Sequence, residues 1–260
     1  MNLSDVCREE IISYIHSICP FKLNNHGKMI RSEIGLLILN SIGYEIKKDD
    51  LKFLSVIELI HTSSLLHDDV IDGCEIRRNS SLNNKLAVLY GDIILININE
   101  ILNEFNNSEL IKLFNKTVKT MCEGEISQIK SESEIPSIED YIKKTQMKTS
   151  SLFEFMVKGL FIIREENIIQ ELVSFAKNYG TAFQLKNDFV DVMTSKSDIK
   201  NGIYTASVIF SGGINITEDS IEKTKGLIDN YINEALKCLD VLEESSYKKT
   251  LTEVTKCLKG

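Results

Sequence analysis

The sequence predicts an all-α fold, a single-domain bundle of long helices, and four observations support that prediction. Apolar residues recur at spacings of three and four along most of the chain, the period of helices that bury one face. Only two prolines, Pro20 and Pro136, occur in 260 residues. No stretch keeps the apolar–polar alternation of a β-strand. Leu, Ile and the helix-favouring Lys and Glu are abundant, which favours the same conclusion.

The periodicity also gives the helices in order. It predicts helices over 3–18, 31–42, 51–72, 84–104, 108–130, 138–163, 166–194 and 218–258. Gly43 is typical of a residue that ends a helix. Asp49 or Asp50 can cap the third helix, and Ser137 the sixth. The segment SGGIN at 211–215 is the clearest break, and one domain over 1–260 is the most economical organisation.

Composition excludes several classes of function. A net charge of −8 argues against binding nucleic acid or an anionic membrane surface. Uninterrupted apolar runs such as residues 86–90 are far too short to span a bilayer, and no signal peptide is recognisable, so we expect a cytoplasmic protein without a transmembrane segment. Six cysteines are scattered without a CxxC pair or a zinc spacing: Cys7, Cys19, Cys74, Cys122, Cys238 and Cys257.

Three aspartates crowd the end of the third predicted helix, in the stretch SSLLHDDVIDGCEIRRN. Asp68 and Asp72 lie one turn apart, about 5.4 Å of rise, and share a face, whereas Asp69 points elsewhere. Like charges this close repel each other, and the helix dipole disfavours anions at this end. A solvated acidic helix end is the simplest interpretation, but the apolar approach LIHTSSLL indicates burial and favours a magnesium site.

A second set of oxygen ligands occurs in FQLKNDFVD, residues 183–191. Asn187, Asp188 and Asp191 lie at i, i+1 and i+4 along an apolar helix. Two such motifs on separate apolar helices indicate a divalent-cation site more strongly than one motif does.

With these motifs the sequence resembles the trans-isoprenyl (polyprenyl) diphosphate synthases. The resemblance runs from about residue 27 to the C-terminal LEESSYKKTLTEVTKCL, in the order of that family. Seven segments carry it: GKMIR (27–31), IHTSSLLHDDVIDGCEIRR (60–78), AVLYGDIIL (87–95), GEISQ (124–128), KTSSLF (148–153), GTAFQLKNDFVD (180–191) and SDIKNGIYTASVI (197–209).

The resemblance implies a helical bundle around a central cavity, with the aspartate motifs facing each other at its mouth. It implies head-to-tail trans condensation of isopentenyl diphosphate with an allylic diphosphate. Departure of diphosphate leaves an allylic cation, isopentenyl diphosphate attacks it, and the released diphosphate is the expected proton acceptor. The implied cofactor is Mg²⁺, three ions with substrate bound, held by both aspartate motifs. A homodimer is also implied.

The resemblance further assigns diphosphate-binding side chains by position. The metal-free isopentenyl diphosphate site would consist of Lys28, Arg31, His61 and Arg78. Arg77 would face the allylic diphosphate, since arginine forks suit phosphate oxygens. Lys148, Thr149 and Gln184 would line the developing cation and balance the diphosphate charge. Without the resemblance, His61, Thr149 and Gln184 would be interpreted as satisfied core polar residues, and Lys28 and Arg31 as solvated charges.

Some positions depart from the family pattern. Asn187 stands where most relatives have Asp, which removes one charge from the metal site. Ile203 replaces a lysine and Ser207 a proline. Ser63 and Ser64 precede Asp68 by about one turn, where bulky residues limit product length in the family, so a product of geranylgeranyl length or longer is expected.

Three other functions stay open from the sequence. A terpene cyclase shares the fold, but it would need a further ligand near Ser195 and has no use for the basic set described above. A peptide-modifying prenyltransferase would use the same allylic diphosphate with another acceptor. A partner-dependent subunit of a two-component synthase usually lacks the aspartate motifs, which this chain keeps.

Overall fold

The computed structural model describes residues 3–21, 23, 26–71, 83–130, 135–194 and 203–259. Every regular element in those ranges is helical, which confirms the predicted all-α class. The α-helices are α1 Leu3–Ile18, α2 Ile30–Ser41, α3 Lys48–Ile71, α4 Asn84–Glu104, α5 Ser108–Lys130, α6 Ile138–Thr145, α7 Ser151–Ile163, α8 Gln170–Met193, α9 Ala206–Ser211, α10 Glu218–Cys238 and α11 Ser246–Lys256.

The predicted bounds of α1, α4 and α5 agree with the structure, whereas two long predicted helices are divided. A π-helical turn, Gln146–Ser150, separates α6 from α7. A 3₁₀ turn, Leu239–Val241, and the residues after it separate α10 from α11. Helix α9 was not predicted, because its six residues are too short to show a helical period.

Local signals explain several helix ends. The Ser137 side chain accepts a hydrogen bond from the Asp140 N–H and caps α6, as predicted. Gly43 follows α2 with φ 77°, a left-handed conformation that glycine adopts without strain. Asp50 does not cap α3 from outside; it lies within the first turn and accepts a hydrogen bond from the Lys47 N–H at 2.6 Å.

Contacts between Cα atoms divide the chain into two compact units. Unit 1 comprises 1–114 and 159–167, and unit 2 comprises 115–158 and 168–260. The single domain remains a prediction from the sequence.

Helix α3 is the centre of unit 1. It packs most extensively against α4 and also contacts α1 and α2. From Leu51 to Ile60 almost every residue of α3 is buried, including Phe53, Leu54 and Ile57. A helix apolar on all sides is expected at the core of a bundle.

Helix α8 has the corresponding position in unit 2. It packs against α10, the π-helical turn and α9. Phe175, Tyr179 and Leu185 are buried on it, and Tyr179 stacks on Phe183 with ring centroids 6.3 Å apart. Both aspartate motifs thus belong to helices that are largely buried, one in each unit.

Helix α4 differs from these two because one of its faces is apolar and exposed. Leu86, Leu89, Ile93 and Ile96 recur at spacings of three and four and are all exposed. We call these four residues the α4 stripe. By length and composition alone α4 could cross a membrane, and 33% of its most apolar window is buried. A single helix of this kind is weak support for a membrane span.

A buried ion pair joins the two sequence segments of unit 1. The Arg164 guanidinium donates from Nε to Asp50 Oδ1 at 2.8 Å and from Nη2 to Asp50 Oδ2 at 2.5 Å. It also donates to the Glu45 carbonyl at 2.6 Å and lies over the Tyr44 ring. Because the Asp50 side chain is fully buried, removal of its charge would leave the guanidinium uncompensated.

We therefore expect Asp50→Asn to lower the free energy of unfolding by about 3 kcal/mol. Urea unfolding followed by circular dichroism measures this. Glu104→Gln is the matched control, since it breaks the exposed Lys52–Glu104 pair of the same unit and should cost less than about 1 kcal/mol. Equal losses in the two variants would contradict the assigned role of the buried pair.

Candidate active site

The second aspartate motif lies in the last turns of α8, and its central carboxylate is held from both sides. Tyr141 Oη donates to Asp188 Oδ2 at 2.5 Å. Gln184 Nε2, one turn earlier on the same helix, donates to Asp188 Oδ1 at 2.7 Å. Asp188 is half-buried, whereas Asn187 is exposed and Asp191 half-buried. Asn187 is therefore the most exposed of the three predicted ligands.

The π-helical turn places the predicted Lys148 and Thr149 against α8. Thr149 Oγ1 donates to Gln184 Oε1 at 3.0 Å. A Cβ on Gly180 would lie 3.0 Å from Ser150 Cα, so the glycine allows the turn to approach the helix closely. π-Helical turns occur often at functional sites, because the extra residue reorients the side chains that follow.

The ammonium group of Lys148 is bound by the segment GEISQ on α5. Lys148 Nζ forms an ion pair with Glu125 and donates to Gln128 Oε1 at 3.3 Å. A Cβ on Gly124 would lie 3.0 Å from Lys148 Cγ. The three sequence-matched positions of this segment thus all contact the Lys148 side chain or lie beside it.

Burial governs the protonation of the Tyr141–Asp188 pair. Desolvation raises the pKa of Asp188, while hydrogen bonds from Tyr141 and Gln184 act in the opposite direction. Desolvation, followed by the adjacent Asp188 carboxylate, raises the pKa of Tyr141 well above its ordinary value. Tyr141 therefore stays protonated and acts as the hydrogen-bond donor.

The first aspartate motif occupies the last turn of α3 in unit 1, where Asp68 and Asp69 are half-buried. Helix α4 holds the preceding turn of α3, since Ser63 Oγ donates to the Gly91 carbonyl at 2.9 Å. His67 Nε2 lies 3.2 Å from Asp92 Oδ1. A Cβ on Gly91 would meet His67 Nε2 at 2.4 Å, so the close packing here requires glycine.

The GKMIR segment precedes and begins α2; one side chain binds its backbone and another binds Ser32, which follows it. Arg8 on α1 donates to the carbonyls of Gly27 and Lys28 at 2.9 and 3.1 Å. Glu58 on α3 accepts from both the N–H and the hydroxyl of Ser32, at 2.9 and 2.8 Å. The Glu58 carboxylate thus provides an acceptor for one of the free N–H groups in the first turn of α2, where the helix dipole favours a negative charge.

The predicted basic residues around that helix end differ in exposure. Lys28 is exposed and Arg31 is buried. His61 is half-buried and follows Glu58 by three residues, on the same face of α3.

Some predicted residues are brought together and others are not described. Within unit 2 the structure joins Thr149, Gln184 and Asp188 in one chain of hydrogen bonds. Asp72, Arg77 and Arg78 lie outside the described residues.

The donor chemistry of both motifs fits magnesium. Over the described ranges no group of three or more His, Cys, Asp or Glu side chains is close enough to hold a metal ion alone. Carboxylate and amide oxygens are hard ligands, and magnesium sites in proteins are typically completed by water and substrate phosphate.

Sequence reasoning missed four side chains that hold predicted residues or segments within their own unit: Arg8 and Glu58 in unit 1, and Glu125 and Tyr141 in unit 2. Tyr141 contacts a residue 47 positions away, and Arg8 binds main-chain carbonyls, which carry no side-chain signal. Glu125 could have been found from the sequence, because it lies in GEISQ, one of the seven segments that carry the resemblance.

Comparison with known proteins agrees with these motifs. A family model described as "Polyprenyl synthetase" matches residues 13–244. The chain is 30% identical to a decaprenyl-diphosphate synthase of Dictyostelium discoideum, over 91% of this chain and 60% of that protein. It therefore spans less than two thirds of that relative's length. It is 31% identical to a prenyl transferase of Porphyra purpurea, over 88% of this chain and 84% of that one.

Solved structures show the same fold. A polyprenyl synthase from Caulobacter crescentus CB15, complexed with calcium and isoprenyl diphosphate, superimposes with a TM-score of 0.87 at 20% identity, over 98% of this chain and 95% of that one. The family match over most of the sequence confirms the resemblance, and the chain belongs to the polyprenyl synthetase family.

Proposed function

We propose that this protein extends an allylic diphosphate by head-to-tail trans condensation with isopentenyl diphosphate. The observation that carries the proposal is the family match over residues 13–244, which contains both aspartate motifs and the polar network that holds the second one. The C1–O bond of the allylic substrate breaks, and diphosphate departs with the electron pair. A new carbon–carbon bond forms to isopentenyl diphosphate, which loses a proton to the released diphosphate.

Magnesium is the proposed cofactor, with three ions when substrate is bound. The residues that would hold it are Asp68, Asp69, Asp72, Asn187, Asp188 and Asp191. When bound it would neutralise the diphosphate charge and make that group a better leaving group. The calcium and isoprenyl diphosphate named for the Caulobacter crescentus structure support a divalent cation beside a diphosphate.

The remaining polar residues are proposed to bind the two diphosphates and the cation. Lys28, Arg31, His61 and Arg78 would bind isopentenyl diphosphate without metal, and Arg77 the allylic diphosphate. The Lys148 ammonium, now bound by Glu125, would move to the departing diphosphate. Thr149 and Gln184 would direct oxygen atoms at the allylic cation, which is electrostatic stabilisation of a developing charge.

A product longer than geranylgeranyl diphosphate is proposed. The Dictyostelium discoideum relative is named for a decaprenyl product, and the small residues before Asp68 support a deep pocket. The structure distinguishes the two serines. Ser63 is buried and bound to α4, whereas the Ser64 hydroxyl bonds only within its own helix, to the His61 carbonyl at 2.9 Å.

A homodimer is proposed, and the α4 stripe supports it. Four exposed apolar side chains in helical register form a surface that a second copy of the same helix could cover. The exposed fraction of Ile96 reaches 62%.

A cytoplasmic location is also proposed. Its support is that the five cysteines in the described ranges form no disulfide.

The first experiment is incubation of the purified chain with Mg²⁺, radiolabelled isopentenyl diphosphate and farnesyl diphosphate, followed by separation of the extracted prenols by length. A series of products ending at one length is expected. No incorporation with any allylic primer by folded protein would reject a self-sufficient synthase. Recovery of incorporation with a partner subunit or a peptide acceptor would identify the alternative.

Asn187→Asp should lower the Mg²⁺ concentration that gives half-maximal activity several-fold, because it restores a carboxylate to the metal site. Asn187 is exposed, so the substitution leaves the packing of α8 unchanged. Asn230→Asp is the control, since it adds the same charge at an exposed position of α10 in the same unit. An equal response of both variants in a magnesium titration would contradict a ligand role for position 187.

Ser64→Phe should shorten the longest product, because a bulky ring would occupy the space below the first aspartate motif. Ser64→Ala removes only a hydrogen bond within the helix and should keep the wild-type length. Chromatography of the dephosphorylated products gives the comparison. An unchanged length in Ser64→Phe would place the floor of the pocket on another helix.

Ile96→Glu should weaken the dimer at least tenfold, since a desolvated charge on an apolar interface costs more than about 1.4 kcal/mol. Light scattering at several protein concentrations measures the dissociation. Ile214→Glu is the matched control, because that isoleucine is exposed to a similar degree, 66% against 62% for Ile96, but lies outside the α4 stripe. Dissociation by both variants, or by neither, would contradict the assigned surface.

A further inference from the structure

Tyr141 takes no part in the function proposed above, yet its hydroxyl reaches the centre of the second aspartate motif. Its Oη lies 2.5 Å from Asp188 Oδ2. The residue belongs to α6, and its partner lies near the end of α8. A helix that supplies none of the predicted ligands therefore touches one of them directly.

The position of this hydroxyl is fixed by packing. Only 2% of Tyr141 is exposed, and it lies in a cluster of buried residues with Leu185, Phe189 and Ile228. The Lys144 ammonium lies over the ring, 5.4 Å from its centroid. A ring enclosed in this way has one orientation, so its hydroxyl is a rigid donor.

The hydrogen bond continues into the residues proposed to meet the substrate. Thr149 donates to Gln184 Oε1, which turns the Gln184 amide so that Nε2 faces Asp188 Oδ1. Both oxygens of the carboxylate therefore accept a hydrogen bond, Oδ1 from Gln184 and Oδ2 from Tyr141. Each carboxylate oxygen has two lone pairs, so both oxygens keep a lone pair for a metal ion.

The simpler explanation is a core tyrosine that satisfies its hydroxyl at the nearest acceptor. That explanation does not say why the acceptor is Asp188. Partial burial of a carboxylate costs desolvation free energy, and a neutral side chain at this position would avoid that cost. Two hydrogen bonds to the carboxylate are explained if they orient its oxygens for a metal ion, as the partners of metal ligands commonly do.

We infer that Tyr141 is a positioning residue that orients Asp188 for the divalent cation. The inference rests on the proposed function, because that proposal places the cation at the second motif. Removal of the hydroxyl leaves the carboxylate held only at Oδ1 by Gln184, so Oδ2 is less ordered and binding of the cation must then order it.

The test is Tyr141→Phe, which keeps the ring and removes one oxygen atom. Binding of Mn²⁺ to the protein in the presence of inorganic diphosphate is followed by electron paramagnetic resonance. We expect affinity for Mn²⁺ to fall about tenfold. In turnover, the Mg²⁺ requirement should rise by a similar factor. The KM for isopentenyl diphosphate, whose site is proposed to be metal-free, should stay within about twofold of wild type.

Tyr179→Phe is the matched control. It removes another buried tyrosine hydroxyl from α8, two to three turns before Asp188, and should leave Mn²⁺ affinity unchanged. If both variants lose affinity equally, or if Tyr141→Phe binds Mn²⁺ like the wild type, the inference is wrong.

A double-mutant cycle with Asp188→Asn gives a second measurement. If Tyr141 acts through Asp188, Tyr141→Phe should have no further effect on Mn²⁺ affinity once the carboxylate is gone. An unchanged tenfold effect in that background would assign the loss to general damage and overturn the inference.

The Mn²⁺ experiment also separates this inference from the proposed function. Wild-type protein that binds Mn²⁺ and diphosphate without forming prenyl products would reject the proposed activity and leave the role of Tyr141 intact. Wild-type protein that fails to bind Mn²⁺ would reject both.

Discussion

Burial of α3 and α8 along most of their length is the constraint on which each of the two aspartate motifs depends. A buried helix tolerates a charge only where another group compensates it or where the helix reaches solvent. The buried carboxylates of α3 are compensated: Asp50 is paired with Arg164, and Glu58 accepts two hydrogen bonds from Ser32. Asp68 and Asp69 occupy the last turn. On α8 the aspartates are likewise confined to the last two turns. Apolar packing of the helices therefore sets where the aspartates lie, and hydrogen bonds set how their side chains are oriented.

Three further side chains orient the polar groups by hydrogen bonds and an ion pair. Glu58, Glu125 and Tyr141 contact the residues or segments expected to meet substrate, while they themselves are held by packing or by neighbouring helices. Their bonds are short and mostly join different helices. Rigid support of this kind reduces the ordering that the site must undergo when a highly charged ligand arrives.

Much of this arrangement could be predicted from the sequence. Periodicity gave the class of fold and the bounds of α1, α4 and α5, because long amphipathic segments carry a repeated signal. The two aspartate motifs indicated a divalent-cation site from their oxygen ligands, whereas the diphosphate-binding residues were assigned only through the resemblance to the family. The structure joins Thr149, Gln184 and Asp188 by hydrogen bonds, and the roles assigned to them stay predictions.

The remaining features depend on contacts that no local pattern encodes. The π-helical turn was hidden in a continuous apolar repeat, since one added residue shifts the helical phase without changing composition. The partners of Tyr141 and Arg8 lie far away in sequence, and only the folded chain brings them together. Helix α9 is too short for any period to emerge.

Helix α4 serves two purposes on opposite faces. Its inner face offers the Gly91 carbonyl to Ser63 and leaves no room for a Cβ, while its outer face carries the α4 stripe. A substitution on the outer face that shifted α4 would also move the Gly91 carbonyl against Ser63, in the turn of α3 that precedes Asp68. The exposed α4 stripe and the packing of the turn before the first aspartate motif therefore both depend on the position of one helix.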